Sequence, residues 1–192
     1  TTKLPLSRWF RPMIAPAWRA ASEAGGNEGV WMWAVAAAYD EVLAAEPTEA
    51  LVLANVGDSR TYLFRHGRLR RVTVDHSYVQ ELVSTGHLSE AEARNHPRRN
   101  IITRALGIEP DVRVDWWTLP LIRGDRFVLC SDGLVDEVDD DDISVTLTTE
   151  ADPQDAADQL VKLANDAGGR DNITVIVIDV IERSLNVELS AA

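Results

Sequence analysis

VLCSDGLVDE, residues 128–137, is the stretch on which the fold turns. An apolar run ending at Cys130 stops abruptly in Ser131-Asp132-Gly133. Short apolar runs bounded by turn residues read as buried strands. The carboxylate at the strand end then has two readings. Asp-Gly is ordinary turn chemistry, and an aspartate at the rim of a sheet is also a ligand for a hard cation.

Two further aspartates sit at similar junctions. Asp171, in "GGRDNITVIVI", precedes an apolar run, and Asp58, in "NVGDSR", lies between two β-rich runs. Glycine stands beside or close to each, so the backbone can turn tightly or approach a ligand. Three carboxylates at strand rims can converge on Mg²⁺ or Mn²⁺, which take oxygen ligands. Taken singly, each is a turn residue as readily as a ligand.

The surrounding chain supplies a frame. "ALVLANVGDSRTYLFRHGRL" (50–69) reads as strand, turn, strand, with a hairpin expected across Gly57-Asp58-Ser59 and a further turn at His66-Gly67. Residues 73–100 carry two helical pieces. Val79, Leu82 and Val83 share a face of the first, Ser89 and Glu92 form a capping-box pattern for the second, and Pro97 ends it. "VRVDWWTLPL" (112–121) has strand periodicity, and Trp116-Trp117 should place one ring in the core and one at the surface. "DPQDAADQLVKLANDAG" (152–168) is an amphipathic helix with Asp152 as cap, Pro153 first and Gly168 after the end. Residues 172–181 read as a final buried strand. Towards the front, a helix is expected over Ala15–Ala24, while 29–42 mixes helix-favouring alanines with strand-favouring residues. The class is α+β, with helices covering antiparallel sheet.

Bulk properties narrow the function. The chain has 192 residues, enough for one domain, and a formal net charge of −12. That charge argues against a nucleic-acid partner. Cys130 is the single cysteine, which excludes an internal disulfide and a cysteine-based zinc site. An Asp at position 136 excludes the phosphate loop of a cysteine phosphatase, which needs arginine there, so Cys130 reads as a small buried hydrophobe. No apolar run approaches the roughly 18 residues that span a bilayer. No signal peptide is seen, and a cytoplasmic setting is expected. The first residue is Thr1, so translation is expected to start elsewhere.

Four segments in order, "VLANVGDSRTYLFRHGRL" (52–69), "VTVDHSYVQELVSTGHLSEAEARNHPRRNIITRALG" (72–107), "GDRFVLCSDGLVDEV" (124–138) and "LANDAGGRDNITVIVI" (163–178), resemble the metal-dependent protein serine/threonine phosphatases, the PP2C or PPM family, in its bacterial branch. The resemblance spans residues 50–181. It implies a four-layer α-β-β-α sandwich with a binuclear Mg²⁺ or Mn²⁺ site at one end. It makes Asp132 and Asp171 metal ligands and assigns Asp58 to an additional metal site shared with Asp132. It also implies a mobile flap from about Asp75 to Gly107. Water activated by the metals would attack a phosphoserine or phosphothreonine left on a protein by a Ser/Thr kinase.

The front departs from the pattern. The family's early acidic motif, its Asp-Gly-Met-Gly-Gly strand end and its phosphate-gripping arginine are not found in residues 1–49, where Asp40 is the first aspartate. "EGVWMWAVAAAY" (28–39) stands where the family has a strand, so strand is expected for 30–38. The expected organisation is a divergent or truncated segment over 1–49, a PP2C-like domain over 50–181 lacking its N-terminal strands, and a tail over 182–192. Two aspartates against the six oxygens that Mg²⁺ takes make a weak site, so little activity is expected of this chain by itself. The alternatives are a relative that binds a phosphoprotein or partner without turnover, and an unrelated α+β binding domain.

Other candidates are weaker. "HPRRNIITR" (96–104) is the main basic cluster, and Arg98, Arg99 and Arg104 either meet a phosphoprotein or pair with nearby acids. His76 either orients a reacting group or makes a structural hydrogen bond. "DDDDI" (139–143) reads as a solvated turn or helix start.

Overall fold

Alternating apolar residues set which face each strand buries. The computed structural model describes residues 50–108 and 111–181. Strand β1 (Ala50–Asn55) pairs antiparallel with β4 (Asp115–Pro120), Leu53 opposite Trp117. Strands β2 (Arg60–Arg65), β3 (Arg68–Arg71), β5 (Arg126–Cys130) and β6 (Val175–Asp179) form a second antiparallel sheet in the order β3-β2-β5-β6.

The hairpin expected across Gly57-Asp58-Ser59 does not form, because β1 and β2 lie in different sheets. Asn55 is buried and donates its amide to the Gly57 carbonyl at 3.2 Å, and Gly57 has φ 112°, so the chain leaves one sheet and enters the other. The true hairpin joins β2 to β3 through His66 and Gly67. Both have positive φ, 52° and 70°, as a two-residue turn between twisted strands requires.

Five helices are described: α1 (Tyr78–Ser84), α2 (Glu90–Arg94), α3 (Asp132–Val135), α4 (Asp140–Thr149) and α5 (Pro153–Ala167). The capping box of α2 is complete: Ser89 accepts from the Glu92 N–H, and Glu92 accepts from the Ser89 N–H. Asp139 caps α4, which accounts for the acidic run at 139–142, and Asp152 caps α5.

Strand β5 is buried along its whole length because both its faces are covered. Val128 and Cys130, with Tyr62, pack on Leu134, Ile143, Leu147, Leu160 and Ala164 of the helices. Phe127 and Leu129, with Leu63, pack on Leu51 and Leu53 of the two-stranded sheet, joined by Trp117 and Leu119. Trp117 thus turns inward while Trp116 is 40% exposed. Among the described residues, helices, four-stranded sheet and two-stranded sheet make three layers of an α+β sandwich. No helix among the described residues packs extensively on the two-stranded sheet.

The last strand is shorter than 172–181 and buried on one side only. Val175 and Val177 face the helices, whereas Ile176 and Ile178 are 48% and 37% exposed. The two-stranded sheet covers β2 and β5, and the core it builds there does not include these two isoleucines. The helix expected over Ala15–Ala24, the strand over 30–38 and the tail over 182–192 fall outside the described residues.

Candidate metal centre

Asp132 opens α3 directly after β5, and Asp171 lies in the loop before β6. Those strands are neighbours, and the chain laces their ends together. The Ser131 N–H donates to the Thr174 carbonyl at 3.1 Å, the Thr174 N–H donates to Ser131 Oγ at 3.0 Å, and Ser131 Oγ donates to the Asn172 carbonyl at 3.0 Å. Gly133 is required by this approach. A Cβ there would sit 2.5 Å from the Asn172 carbonyl oxygen. Serine, glycine and asparagine beside the two aspartates therefore bring the two loops together.

Asp58 reaches the same place from the crossover between sheets. With Asp132 it lines a cavity of ≈ 630 Å³ whose wall also includes Arg60, Asp75, Arg99 and Asp136. Asp58 Oδ1 is buried and has no hydrogen-bond partner among the described residues. Burial first, and then the negative charge of Asp132, push the Asp58 carboxyl up to about 6. Burial and the charge of Asp171 raise Asp132 in turn. The three carboxylates thus repel in sequence, 58 to 132 to 171, although Asp171 does not line the cavity. Among the described residues no ion pair neutralises Asp132 or Asp171. Arg60, whose charge acts on Asp58, is held by Asp75, which accepts from its Nε and from Nη2 at 2.7 Å.

This donor set fits a hard divalent cation in kind: oxygen only, partly desolvated and short of positive charge. It does not fit in number. Among the described residues, no three histidine, cysteine, aspartate or glutamate side chains gather tightly enough to hold a metal. Asp58, Asp132 and Asp171 supply part of a coordination sphere.

The other sequence candidates separate. Arg99 lines the cavity and donates to Asp136 at 3.2 Å. Arg98 stacks over the Tyr78 ring, 5.9 Å from its centroid. Arg104 donates to Asp115 at 3.1 Å and to the Arg113 carbonyl. His76 is buried, and Nδ1 accepts the Gly57 N–H at 3.0 Å, so Nε2 carries the proton and donates to Asp115 at 3.0 Å. The His76 N–H also donates to the Gly57 carbonyl, so this histidine pins the backbone next to Asp58. Sequence reasoning passed over Arg60 and Asp75. The signal was present, since an arginine opening a buried strand needs an acid.

The two ends of the segment from Asp75 to Gly107 are tied to each other at residues 76–78 and 101–103. The Tyr78 N–H donates to the Ile101 carbonyl, and the Thr103 N–H donates to that of His76. The segment between carries α1 and α2, and α2 contributes Glu90, Ala93 and Arg94 to the cavity wall. Cys130 is buried, and burial pushes its thiol up to about 12, which leaves it inert.

A sandwich with paired aspartates at one rim matches known proteins. The family model described as Protein phosphatase 2C matches residues 36–82, and that described as Stage II sporulation protein E (SpoIIE) matches residues 81–181. The chain belongs to the PP2C (PPM) family of serine/threonine phosphatases. The serine/threonine phosphatase stp of Listeria monocytogenes (strain ATCC BAA-679 / EGD-e) is 45% identical over 129 residues, covering 67% of this chain and 51% of that protein. The crystal structure of the Mycobacterium tuberculosis serine/threonine phosphatase PstP/Ppp superposes with a TM-score of 0.66 at 41% identity, covering 69% of this chain and 56% of that one. The catalytic domain of serine threonine protein phosphatase PstP, solved in complex with 2 manganese ions, gives 0.60 at 40% identity, covering 69% and 54%. This PP2C-type chain spans about half the length of the curated relatives it matches. No helix among its described residues is long and apolar enough to cross a membrane.

Proposed function

We propose that this chain contributes to a metal-dependent phosphatase that hydrolyses phosphoserine and phosphothreonine in proteins, with Asp58, Asp132 and Asp171 supplying part of the ligand set for Mn²⁺ or Mg²⁺. The observation that carries the reading is the buried Oδ1 of Asp58, without a partner among the described residues, in one cavity with Asp132, whose own carboxyl is raised by burial and then by the charge of Asp171. Burying carboxylates this close together without counter-charge is costly, and a divalent cation removes that cost. When bound, such metals supply a water nucleophile at neutral pH and neutralise phosphoryl charge.

The residues of the chain do the rest. Arg99 stands in the cavity wall, where its guanidinium can turn from Asp136 to a phosphoryl oxygen, and arginine suits that bidentate contact. Arg60 and Asp75 neutralise one another and keep the wall rigid. The substrate is a phosphoprotein produced by a Ser/Thr kinase. The solved relative with two manganese ions supports manganese as the first metal to try.

The test is hydrolysis of a phosphothreonine peptide by the purified chain, with and without Mn²⁺, beside Asp132→Ala. Mn²⁺-dependent turnover is expected to be low for this chain by itself, its ligand set being partial, and to be lost in the variant. Absence of turnover from a folded chain that still binds the phosphopeptide would overturn catalysis in favour of binding alone.

A further inference from the structure

The loop that carries Asp171 leaves α5 through Gly168 and Gly169, which have φ 154° and 54°. Two adjacent glycines give this segment more conformational freedom than any other pair of residues. The following residue, however, is clamped. Arg170 Nε donates to Glu137 Oε1 at 2.7 Å and Nη2 donates to Oε2 at 3.0 Å, while the Arg170 N–H points at Oε1 at 3.4 Å. The two partners differ in exposure. The Arg170 side chain is 67% exposed and that of Glu137 only 3%. Glu137 sits against the Gly168 backbone, where a Cβ would lie 3.2 Å from Oε2. It is therefore a fixed anchor on the α3 side, and the loop closes onto it.

On the other side of Asp171, Asn172 is tied to Ser131 and pressed on Gly133. Asp171 is thus held between two anchors, and both belong to the segment that carries Asp132. We propose that Glu137 is a positioning residue of the metal centre: by clamping Arg170 it fixes the Asp171 backbone beside Asp132. This rests on Asp171 being a metal ligand. Exposed ion pairs are worth little to stability, but this one is bidentate and one partner is immobilised, so its effect falls on geometry. Groups that orient metal ligands typically change metal affinity by about 10- to 100-fold when removed.

The test uses the full chain with Glu137→Ala, Glu137→Gln and the exchange Glu137→Arg/Arg170→Glu. Two readouts are needed: amide hydrogen exchange over 168–174, and Mn²⁺ binding followed by electron paramagnetic resonance. Glu137→Ala should speed exchange at Asp171 and Asn172 by about tenfold or more and weaken Mn²⁺ by about tenfold, leaving β5 and α5 amides unchanged. Glu137→Gln keeps the shape and should show a smaller effect in the same direction. The exchanged pair should restore much of both. Unchanged Mn²⁺ binding in Glu137→Ala overturns the proposal and leaves the metal reading intact. Faster loop exchange in a chain that binds no Mn²⁺ at all overturns the metal reading, and with it the proposal, while the clamp stands.

Discussion

Strand β5 has an aspartate at each end, and the fold treats the two in opposite ways. At its start, Asp125 is gripped by Arg65 through bonds of 2.6 and 2.5 Å and also accepts the Ile122 N–H. The next residue, Arg126, donates to both oxygens of Asp179 and to the carbonyls of Leu147, Glu150 and Ala151. It thereby closes the C-terminal end of α4 and ties it to the edge strand β6. At the far end, Asp132 accepts from backbone N–H groups, that of Gly133 at 2.9 Å, and Asp58 keeps a buried oxygen with no partner among the described residues. Neutralised charge marks the end that holds the fold together. Uncompensated charge marks the end at which we propose a metal.

The comparison breaks most visibly at the paired end. Arg126→Met keeps bulk but strips Asp179 and three carbonyls of their donor. Losing one partner of a buried, hydrogen-bonded ion pair costs about 3–5 kcal/mol. Urea unfolding should show that loss as a lower midpoint with an unchanged slope. Asp132→Ala, at the other end, should leave the metal-free midpoint level or higher. If both variants lost the same amount, the two ends would not differ in kind.

Gly133→Ala sharpens the contrast within the ligand end. The added methyl meets a backbone oxygen of the neighbouring loop, which cannot swing away as a flexible side chain would. A cost of about 1–3 kcal/mol is expected, as for overpacking elsewhere. The larger consequence is separation of the Asp132 and Asp171 loops, read as a lost rise in melting temperature on adding Mn²⁺. A variant that kept the full Mn²⁺ response would mean that the close approach of these loops is not needed.

Local signals were legible in the sequence, and long-range ones were not. Helix α5 could be read in full because its cap, first-turn proline, apolar period and terminal glycine lie within 17 contiguous positions, 152–168. The Ser89–Glu92 capping box and β5 were legible for the same reason. The partner of β1 was not, because Leu53 finds Trp117 across about half of the described chain, and the adjacent β2 was the nearer guess. The exposed face of β6 was hidden too, since an apolar strand gives no sign of how far the opposite sheet extends. At the site, the three aspartates were visible as turn residues or ligands. His76 was not assignable, because its two partners, Gly57 and Asp115, are set by tertiary contact.

Asp58→Asn is the mildest change and the most direct probe of the uncompensated end. The folded-state pKa of Asp58 is raised to about 6 from an ordinary 3.8, so the folded chain holds this proton more tightly than the unfolded one. Its contribution to stability is therefore most favourable below the ordinary value and is lost as pH rises from about 4 to about 6. Above that window the ionised group opposes folding. Asparagine removes the charge but still buries polar atoms, so a gain of about 1–2 kcal/mol over the native chain is expected at pH 7, shrinking to nothing near pH 4. Chemical denaturation of both proteins at several pH values measures the difference, in which the carboxyls held low, such as Asp115, cancel. A cation among these carboxylates would lift the same penalty, so Mn²⁺ should stabilise the native chain above pH 6 more than the variant. A variant less stable than the native chain at pH 7 would mean that Asp58 has a counter-charge after all, and that the two ends of the sandwich are alike.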